Sequence, residues 1–358
     1  MLFTSGTTGA AKGVVLPHQQ LASTAGDAVH DLGMDAGSVF YTFSPLFHLN
    51  GLVFGPLSAL VAGARTVVRS AFPRESTLAD LRSTGATHWV ATPYLLRGLL
   101  AAPPRPDDAD NDLRVVMTFG LTAAEVERVQ TRFGCRLATG YGMTEAGMIC
   151  RAQTDRPTTS GRVSDRYRIR VVDEHGQNVA PGEVGEILVT ARLPYDRMLG
   201  YYGMPEATAA AFDGDWFRTG DLGRLDADGY LQFADRTKDS LKRRGESIST
   251  FEVERALMSF HGVSAAAVVG YRSAPDAEEE VRAFIELEQP VLPEHFDFAA
   301  LIQHCGRNLA YFMVPRFIDL VHELPRTALG KIQKQALKET PVTPATYDAK
   351  ATAIEIDR

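Results

Sequence analysis

Between about residues 18 and 150, stretches whose apolar positions recur at helical spacing alternate with short β-rich runs: ARTVVRS at 64–70, THWVATP at 87–93 and LRVVMTFG at 113–120. Such alternation predicts α/β layering, with strands in a sheet and helices packed on it. The most apolar window, LNGLVFGPLSALVAGA at 49–64, is shorter than the roughly 20 residues of a membrane span and is interrupted by Gly and Pro, so it predicts a buried helix and no span. From 161 to 235 the texture changes to short strands parted by Gly-rich turns, YRIRVVDEHGQ, GEVGEILVTA and GRLDADGYLQFAD, which predicts an antiparallel β unit. Beyond residue 236 an alternating SAAAVVGY, an apolar VRAFIELE and helical stretches near 252–260 and 298–309 predict a small α+β domain. The expected fold class is therefore α/β: a large α/β domain with an antiparallel β unit over 1–236, then a small α+β domain over 237–358. The Pro- and Asp-rich segment AAPPRPDDADND at 101–112 reads as a solvated connection, and the chain shows no internal repeat.

Composition narrows the function. With 358 residues, 45% of them hydrophobic, the chain has enough apolar material for two domains. A net charge of -7, with no basic run interleaved with aromatics, argues against nucleic acid as a partner. Cys135, Cys150 and Cys305 are odd in number and far apart, which fits a reducing compartment and neither a disulfide framework nor a zinc site. The nine histidines show no H-E-x-x-H spacing. No charged head, apolar run and cleavage site opens the chain, so a cytoplasmic location is expected. Oligomeric state leaves no signature.

The segment LFTSGTTGAAKGV at 2–14 carries the first chemistry. Leu2 and Phe3 are apolar, Thr4, Ser5, Gly6, Thr7, Thr8 and Gly9 are small or hydroxylated, Lys12 and Gly13 follow, and Val14-Val15-Leu16 closes the stretch. That order predicts a strand, a phosphate-cradling loop and a returning strand. Glycines let several backbone N–H groups turn inward, hydroxyls add donors, and Lys12 supplies a cation for the loop or a terminal phosphate. It is not a P-loop: Ala11 stands where that motif has its second Gly, and Gly13 where it has Ser or Thr. A Gly/Ser/Thr linker or a glycine-rich hairpin is the competing reading.

Four further segments bear on that choice. In YGMTEAG at 141–147, Thr144 offers a donor to a phosphate and Glu145 a hard oxygen ligand for Mg2+. In DWFRTGDLG at 215–223, Asp221 is expected in a turn between strands, where a carboxylate accepts both hydroxyls of a ribose. FADRTKDSLKRRGESIS at 233–249 holds Arg236, and LPRTALGKIQK at 324–334 holds Lys331 after a glycine. Each also has an ordinary reading: a turn Asp, core packing for Trp216 and Phe217, a solvated Lys/Arg face and a surface lysine.

In their order, TSGTTGxxKG, YGMTE, TGDLG, DRxKDxxKxxGExIS and PRTxxGK, these segments resemble the adenylate-forming superfamily of acyl-CoA synthetases, luciferases and peptide-synthetase adenylation domains. Five motifs in the correct sequence cover nearly the whole chain. KDSLKRRGESIS most resembles the crotonobetaine/carnitine-CoA ligase-like branch, which has Asn where Ser247 stands here. The resemblance implies an acid-thiol ligase: a carboxylate attacks the α-phosphorus of ATP, pyrophosphate leaves, and a thiol then takes the acyl group from the acyl-adenylate.

The same resemblance implies residue roles. Thr4 to Gly9 with Lys12 would hold the β- and γ-phosphates. Tyr141, Gly142, Met143 and Thr144 would meet adenine and the α-phosphate, and Glu145 would bind Mg2+. Asp221 and Arg236 would grip the ribose, with Phe233 beside them. Lys331 would bridge the attacking carboxylate and the α-phosphate as a catalytic cation, together with Thr144 and Glu145. Lys238 would be the hinge of a mobile C-terminal domain, and Lys242, Arg243, Gly245 and Glu246 would line the thiol channel. His48, in SPLFHLNG at 44–51, would gate the acyl pocket. Gly120 and Leu121 would make the adenine contact, although TFGLTAAE at 118–125 departs there from the family's usual Gly-Ala pair. Little chain follows Lys331, which favours free coenzyme A over an appended carrier. A carrier-loading adenylation enzyme and an inactive nucleotide-binding remnant are the alternatives. Family members carry a large stretch ahead of the phosphate loop, so apolar sheet faces and edges are expected to lie uncovered here.

Overall fold

The computed structural model describes residues 1–4, 11–70, 76–243, 246–274, 277–288, 291–326 and 332–351, the Ser247 side chain excepted. The chain divides into two compact units, Met1–Phe233 and Ala234–Arg358.

The first unit is built around a seven-stranded sheet in the order Arg65–Val68, Val39–Thr42, His88–Val90, Val115–Met117, Arg136–Met143, Gly147–Gln153, Arg162–Val163. The first five pair in parallel. Strands covered on both faces need apolar residues at consecutive positions, and Phe40, Tyr41, Val115, Val116, Leu137 and Ala138 are all buried. Each fully buried large apolar side chain contributes about 1.5–3 kcal/mol relative to exposure. Helices return the chain between strands, and several stop at glycines. Helix Ala123–Phe133 starts on a reciprocal cap between Thr122 and Glu125 and ends at Gly134 with φ 66°. Helix His18–Leu32 ends at Gly33 with φ 65°.

The antiparallel expectation for 161–235 is met by a five-stranded sheet of Tyr167–Val172, Gly185–Ala191, Trp216–Leu225, Phe212–Asp213 and Leu231–Arg236. Leu2–Thr4 and Lys12–Val15 pair antiparallel, with Thr4 opposite Lys12, and Gly200–Tyr201 joins them as a third strand. Strand and returning strand are thus present; residues 5–10 lie outside the described residues.

Two expectations need correction. The apolar window 49–64 is not one buried helix. Helix Leu49–Leu52 passes into a kinked turn over Val53–Leu57, with Phe54 and Gly55 outside helical dihedrals, before helix Ser58–Ala62. Pro56 lacks the N–H an uninterrupted helix needs, and the glycine before it takes the sharp bend. The final turn also surfaces: Leu60 is 77% and Val61 53% exposed. Asp221, in turn, is not in a turn between strands. It lies within the single strand Trp216–Leu225, in a bulge opposite Ile187 where the register against Gly185–Ala191 shifts. Gly220 takes φ 69° there, and Thr219 Oγ1 donates to the Ile187 carbonyl at 2.7 Å while accepting from the Asp221 N–H at 3.1 Å.

The second unit folds helices Thr250–Met258 and Phe298–Asn308 with a sheet of Val263–Tyr271, Glu280–Leu287, Phe317–Val321 and Tyr347–Asp348. Both helices carry side-chain N-caps, Ser249 and Asp297. At its centre Arg282 is buried, its guanidinium over the Phe284 ring and 2.8 Å from Asp319, donating also to the Thr340 and Pro341 carbonyls. That arrangement satisfies the buried cation and ties the closing segment to the sheet.

Candidate functional site

Open parallel sheets collect functional groups at the carboxyl ends of their strands. Here Gly120 and Leu121 follow Val115–Met117, Thr144 and Glu145 follow Arg136–Met143, and His48 follows Val39–Thr42. Three expected site segments therefore stand at one edge of the same sheet.

The YGMTE segment is a hairpin rather than a strand followed by a loop. Tyr141, Gly142 and Met143 complete strand Arg136–Met143, and Thr144, Glu145 and Ala146 turn the chain into Gly147–Gln153. Glycine is required twice. A Cβ at Gly142 would lie 2.3 Å from the Gly147 carbonyl oxygen, and Gly147 itself takes φ 72°. The hairpin thus brings two backbones into contact just where hydroxyl and carboxylate are presented.

Tyr141 points back into the core and donates its hydroxyl to Asp221 Oδ2 at 2.7 Å. Both residues are buried, Asp221 with 5% exposure. Burial first, and the neighbouring Asp221 charge second, hold the phenol pKa well above its ordinary value, so the proton stays on Tyr141 and the bond keeps its direction. One hydrogen bond thus joins the YGMTE and TGDLG segments across 80 residues of sequence.

A second link joins the same hairpin to the first motif. Tyr201 donates to Glu145 Oε1 at 3.2 Å, and Lys12 Nζ lies 4.6 Å from the centroid of the Tyr201 ring. Burial and Glu145 raise the Tyr201 pKa, keeping its phenol a donor. Cation, aromatic ring and carboxylate therefore stand in one row. Tyr201 was not among the sequence candidates. Its only trace is an aromatic pair, Tyr201-Tyr202, with no spacing that points to Glu145.

The remaining candidates divide by place. Gly120 takes φ 68° and its carbonyl accepts from Arg97 Nη2 at 3.2 Å; Leu121 is buried beneath it. His48 is half-buried and caps helix Leu49–Leu52, its Nδ1 accepting from the Asn50 N–H. Phe233 sits in strand Leu231–Arg236, its N–H donating to Ser160 Oγ at 2.9 Å. In the second unit the Arg236 N–H donates to Asp235 Oδ1 at 2.7 Å, and Lys238 is exposed in the turn that follows. Lys242 and Glu246 are exposed on the hairpin Leu241–Arg243/Glu246–Ile248. Arg243 is buried, pairing with Glu280 at 2.7 Å and donating to the Phe312 carbonyl at 2.8 Å, both partners within that unit. Ser5, Gly6, Thr7, Thr8, Gly9, Gly245 and Lys331 lie outside the described residues.

Among the described residues no group of three His, Cys, Asp or Glu could hold a metal ion alone. A buried carboxylate such as Glu145 fits Mg2+, which takes one or two protein carboxylates and completes its shell with phosphate oxygens and water. Nor is any described helix long and apolar enough to cross a membrane.

The chain is similar to known proteins over most of its length. The family model described as AMP-binding enzyme matches residues 1–202, and that described as AMP-binding enzyme C-terminal domain matches 252–331. A crotonobetaine/carnitine-CoA ligase from Salmonella paratyphi A is 34% identical over 94% of this chain, and the same enzyme of Salmonella typhi is equally similar. The chain spans 66% of the length of these relatives. Among solved structures, an anthranilate-CoA ligase in complex with anthranoyl-AMP is 28% identical with a TM-score of 0.85, covering 94% of this chain and 66% of that one. A benzoate-CoA ligase from Burkholderia xenovorans is 31% identical, with a TM-score of 0.84 over 94% and 68% of the two chains. With a family model spanning more than half of its length, the chain belongs to the AMP-binding enzyme family.

Proposed function

We propose that the protein is an ATP-dependent acyl-CoA ligase. A carboxylate attacks the α-phosphorus of ATP to give an acyl-adenylate and pyrophosphate, and coenzyme A then displaces AMP to give the thioester. The observation that carries this reading is the Tyr141–Asp221 bond, which ties the carboxylate we assign to the ribose to the strand that leads into the Thr144–Glu145 turn. The row of Lys12, Tyr201 and Glu145 adds a cation beside the same turn, where phosphate charge is to be held.

The roles follow from chemistry and position. Asp221 accepts ribose hydroxyls, Thr144 donates to the α-phosphate, and Glu145 offers Mg2+ its one carboxylate. When bound, that ion neutralises phosphate charge. Lys12 and Thr4 flank the segment assigned to the β- and γ-phosphates. Gly120 and Leu121 face adenine, and His48 borders the acyl pocket. The chain divides near residue 236 into a nucleotide-binding domain and a small domain that delivers Lys331 to the adenylation step and, turned about Lys238, presents the Lys242–Glu246 hairpin to the thiol. The relatives' names support a carboxylate substrate and coenzyme A as acceptor.

The test is carboxylate-dependent exchange of labelled pyrophosphate into ATP with a panel of betaines, fatty acids and aromatic acids, followed by coenzyme A or a carrier protein as acceptor. The ligase reading requires exchange with at least one acid and thioester formation on coenzyme A. ATP binding without exchange would instead identify a nucleotide-binding remnant, and transfer only to a carrier would identify a carrier-loading enzyme.

A further inference from the structure

The three carbonyls of the Thr144–Glu145–Ala146 turn are each held from outside the hairpin. Gln20 Nε2 donates to the Thr144 carbonyl at 2.9 Å, the Met198 N–H to the Glu145 carbonyl at 2.8 Å, and the Tyr167 hydroxyl to the Ala146 carbonyl. A trans peptide fixes its N–H opposite its C=O, so three held carbonyls determine the orientation of the whole turn and of the side chains it bears.

The holding groups are themselves anchored by one helix. Gln20, Ser23, Thr24, Asp27 and Asp31 share a face of His18–Leu32. Ser23 donates to Asp196 Oδ1 at 2.7 Å, and Asp27 pairs with Arg166 at 2.9 Å, which also pairs with the fully buried Asp196 at 3.0 Å. Asp31 accepts from the Ala152 N–H at 3.1 Å on the far strand of the hairpin. The helix begins three residues after Val15, the end of the strand that carries Lys12.

Gln20 adds an independent observation. It is fully buried, and its Oε1 has no hydrogen-bond partner among the described residues. A methionine would fill the same volume without stranding an oxygen, so what the amide contributes there is its donor to Thr144.

Building on the nucleotide reading above, we propose that Gln20 and Tyr167 are positioning residues. They hold the turn by its carbonyls in the orientation that presents Thr144 and Glu145 to the nucleotide phosphates, and they link that orientation, through the helix, to the strand bearing Lys12.

The test uses the full chain with Gln20→Met, which removes the donor, and Tyr167→Phe, which removes one hydroxyl and keeps the ring. In pyrophosphate exchange normalised to titrated active enzyme, each variant is expected to lose about tenfold in kcat/KM for ATP, the consequence of one lost donor, with KM for ATP raised. A merely structural role would lower the amount of active enzyme and leave KM unchanged; that result overturns the proposal. Amide exchange of peptides covering 141–150, read by mass spectrometry, is expected to speed up several-fold in both variants. Should Gln20→Met fail to fold, Tyr167→Phe carries both readouts. Should the unaltered protein show no pyrophosphate exchange, the ligase reading fails, and amide exchange alone then decides: acceleration upholds the clamp, and unchanged rates overturn it.

Discussion

Tyr141→Phe isolates the bond on which the site is built. The substitution keeps the ring in its apolar surroundings beside Ile149, Ile187 and Leu231 and removes only the hydroxyl that donates to Asp221 at 2.7 Å. Hydrogen bonds to charged groups contribute about 1.5–3 kcal/mol, and a buried carboxylate deprived of a donor bears the larger end of that range. Urea unfolding should therefore show a loss of about 1.5–3 kcal/mol. If the bond also aims Asp221 at the ribose, ATP affinity falls by a comparable free energy, about 10- to 150-fold at 1.36 kcal/mol per decade. The decisive form is a double-mutant cycle with Asp221→Asn, scored by calorimetric ATP binding. Coupled residues give interaction energies of about 0.5–3 kcal/mol, and independent ones add to within about 0.5 kcal/mol. Additive effects on ATP binding, or a Tyr141→Phe protein that binds ATP as the parent does, would refute the argument that this bond organises the ribose site.

Other positions carry their own expectations. Lys331→Ala should slow adenylation about 10²- to 10³-fold, the effect of losing one transition-state donor, yet spare thioester formation from supplied acyl-adenylate; equal loss of both half-reactions would end that division of labour. Lys334 Nζ lies 2.7 Å from the buried Glu254, whose pKa burial raises and Lys334 opposes. Lys334→Met should thus destabilise the protein by about 3–5 kcal/mol in urea unfolding, and Lys334→Met with Glu254→Gln should recover part of it. His88 is buried, its Nε2–H donating to the Leu32 carbonyl at 3.1 Å, and burial, reinforced by the Arg114 and Arg136 cations, depresses its pKa against that hydrogen bond and nearby Asp35. The unfolded chain therefore takes up a proton first as pH falls below about 6.5, so stability is full above that pH and declines below it by up to about 1.4 kcal/mol per pH unit. His88→Gln should flatten the fall in urea midpoint between about pH 7 and 5, and an unchanged slope would show that another group controls it.

The parts of the fold legible in the sequence are those written by local rules. Short β-rich runs became the parallel strands Arg65–Val68, His88–Val90 and Val115–Met117, and the inner two need no alternation because both of their faces are covered. The kink at Gly55-Pro56 is legible as a Gly-Pro pair, but a buried helix and a broken one share the same apolar composition. Asp221 reads as a turn residue in sequence because Thr-Gly-Asp supplies the same residue types to a bulge as to a turn; only pairing across the sheet separates them. Tyr201 and Gln20 were illegible for a different reason. Their partners, Glu145 and Thr144, are 56 and 124 residues away, and no local pattern encodes a contact at that range.

Amide hydrogen exchange with and without MgATP measures directly whether these separated segments serve one bound nucleotide. The expected result is simultaneous protection of peptides covering 12–15, 118–122, 141–147 and 219–223, saturating at one ATP concentration. Protection confined to a single segment, or no change in any, would contradict it.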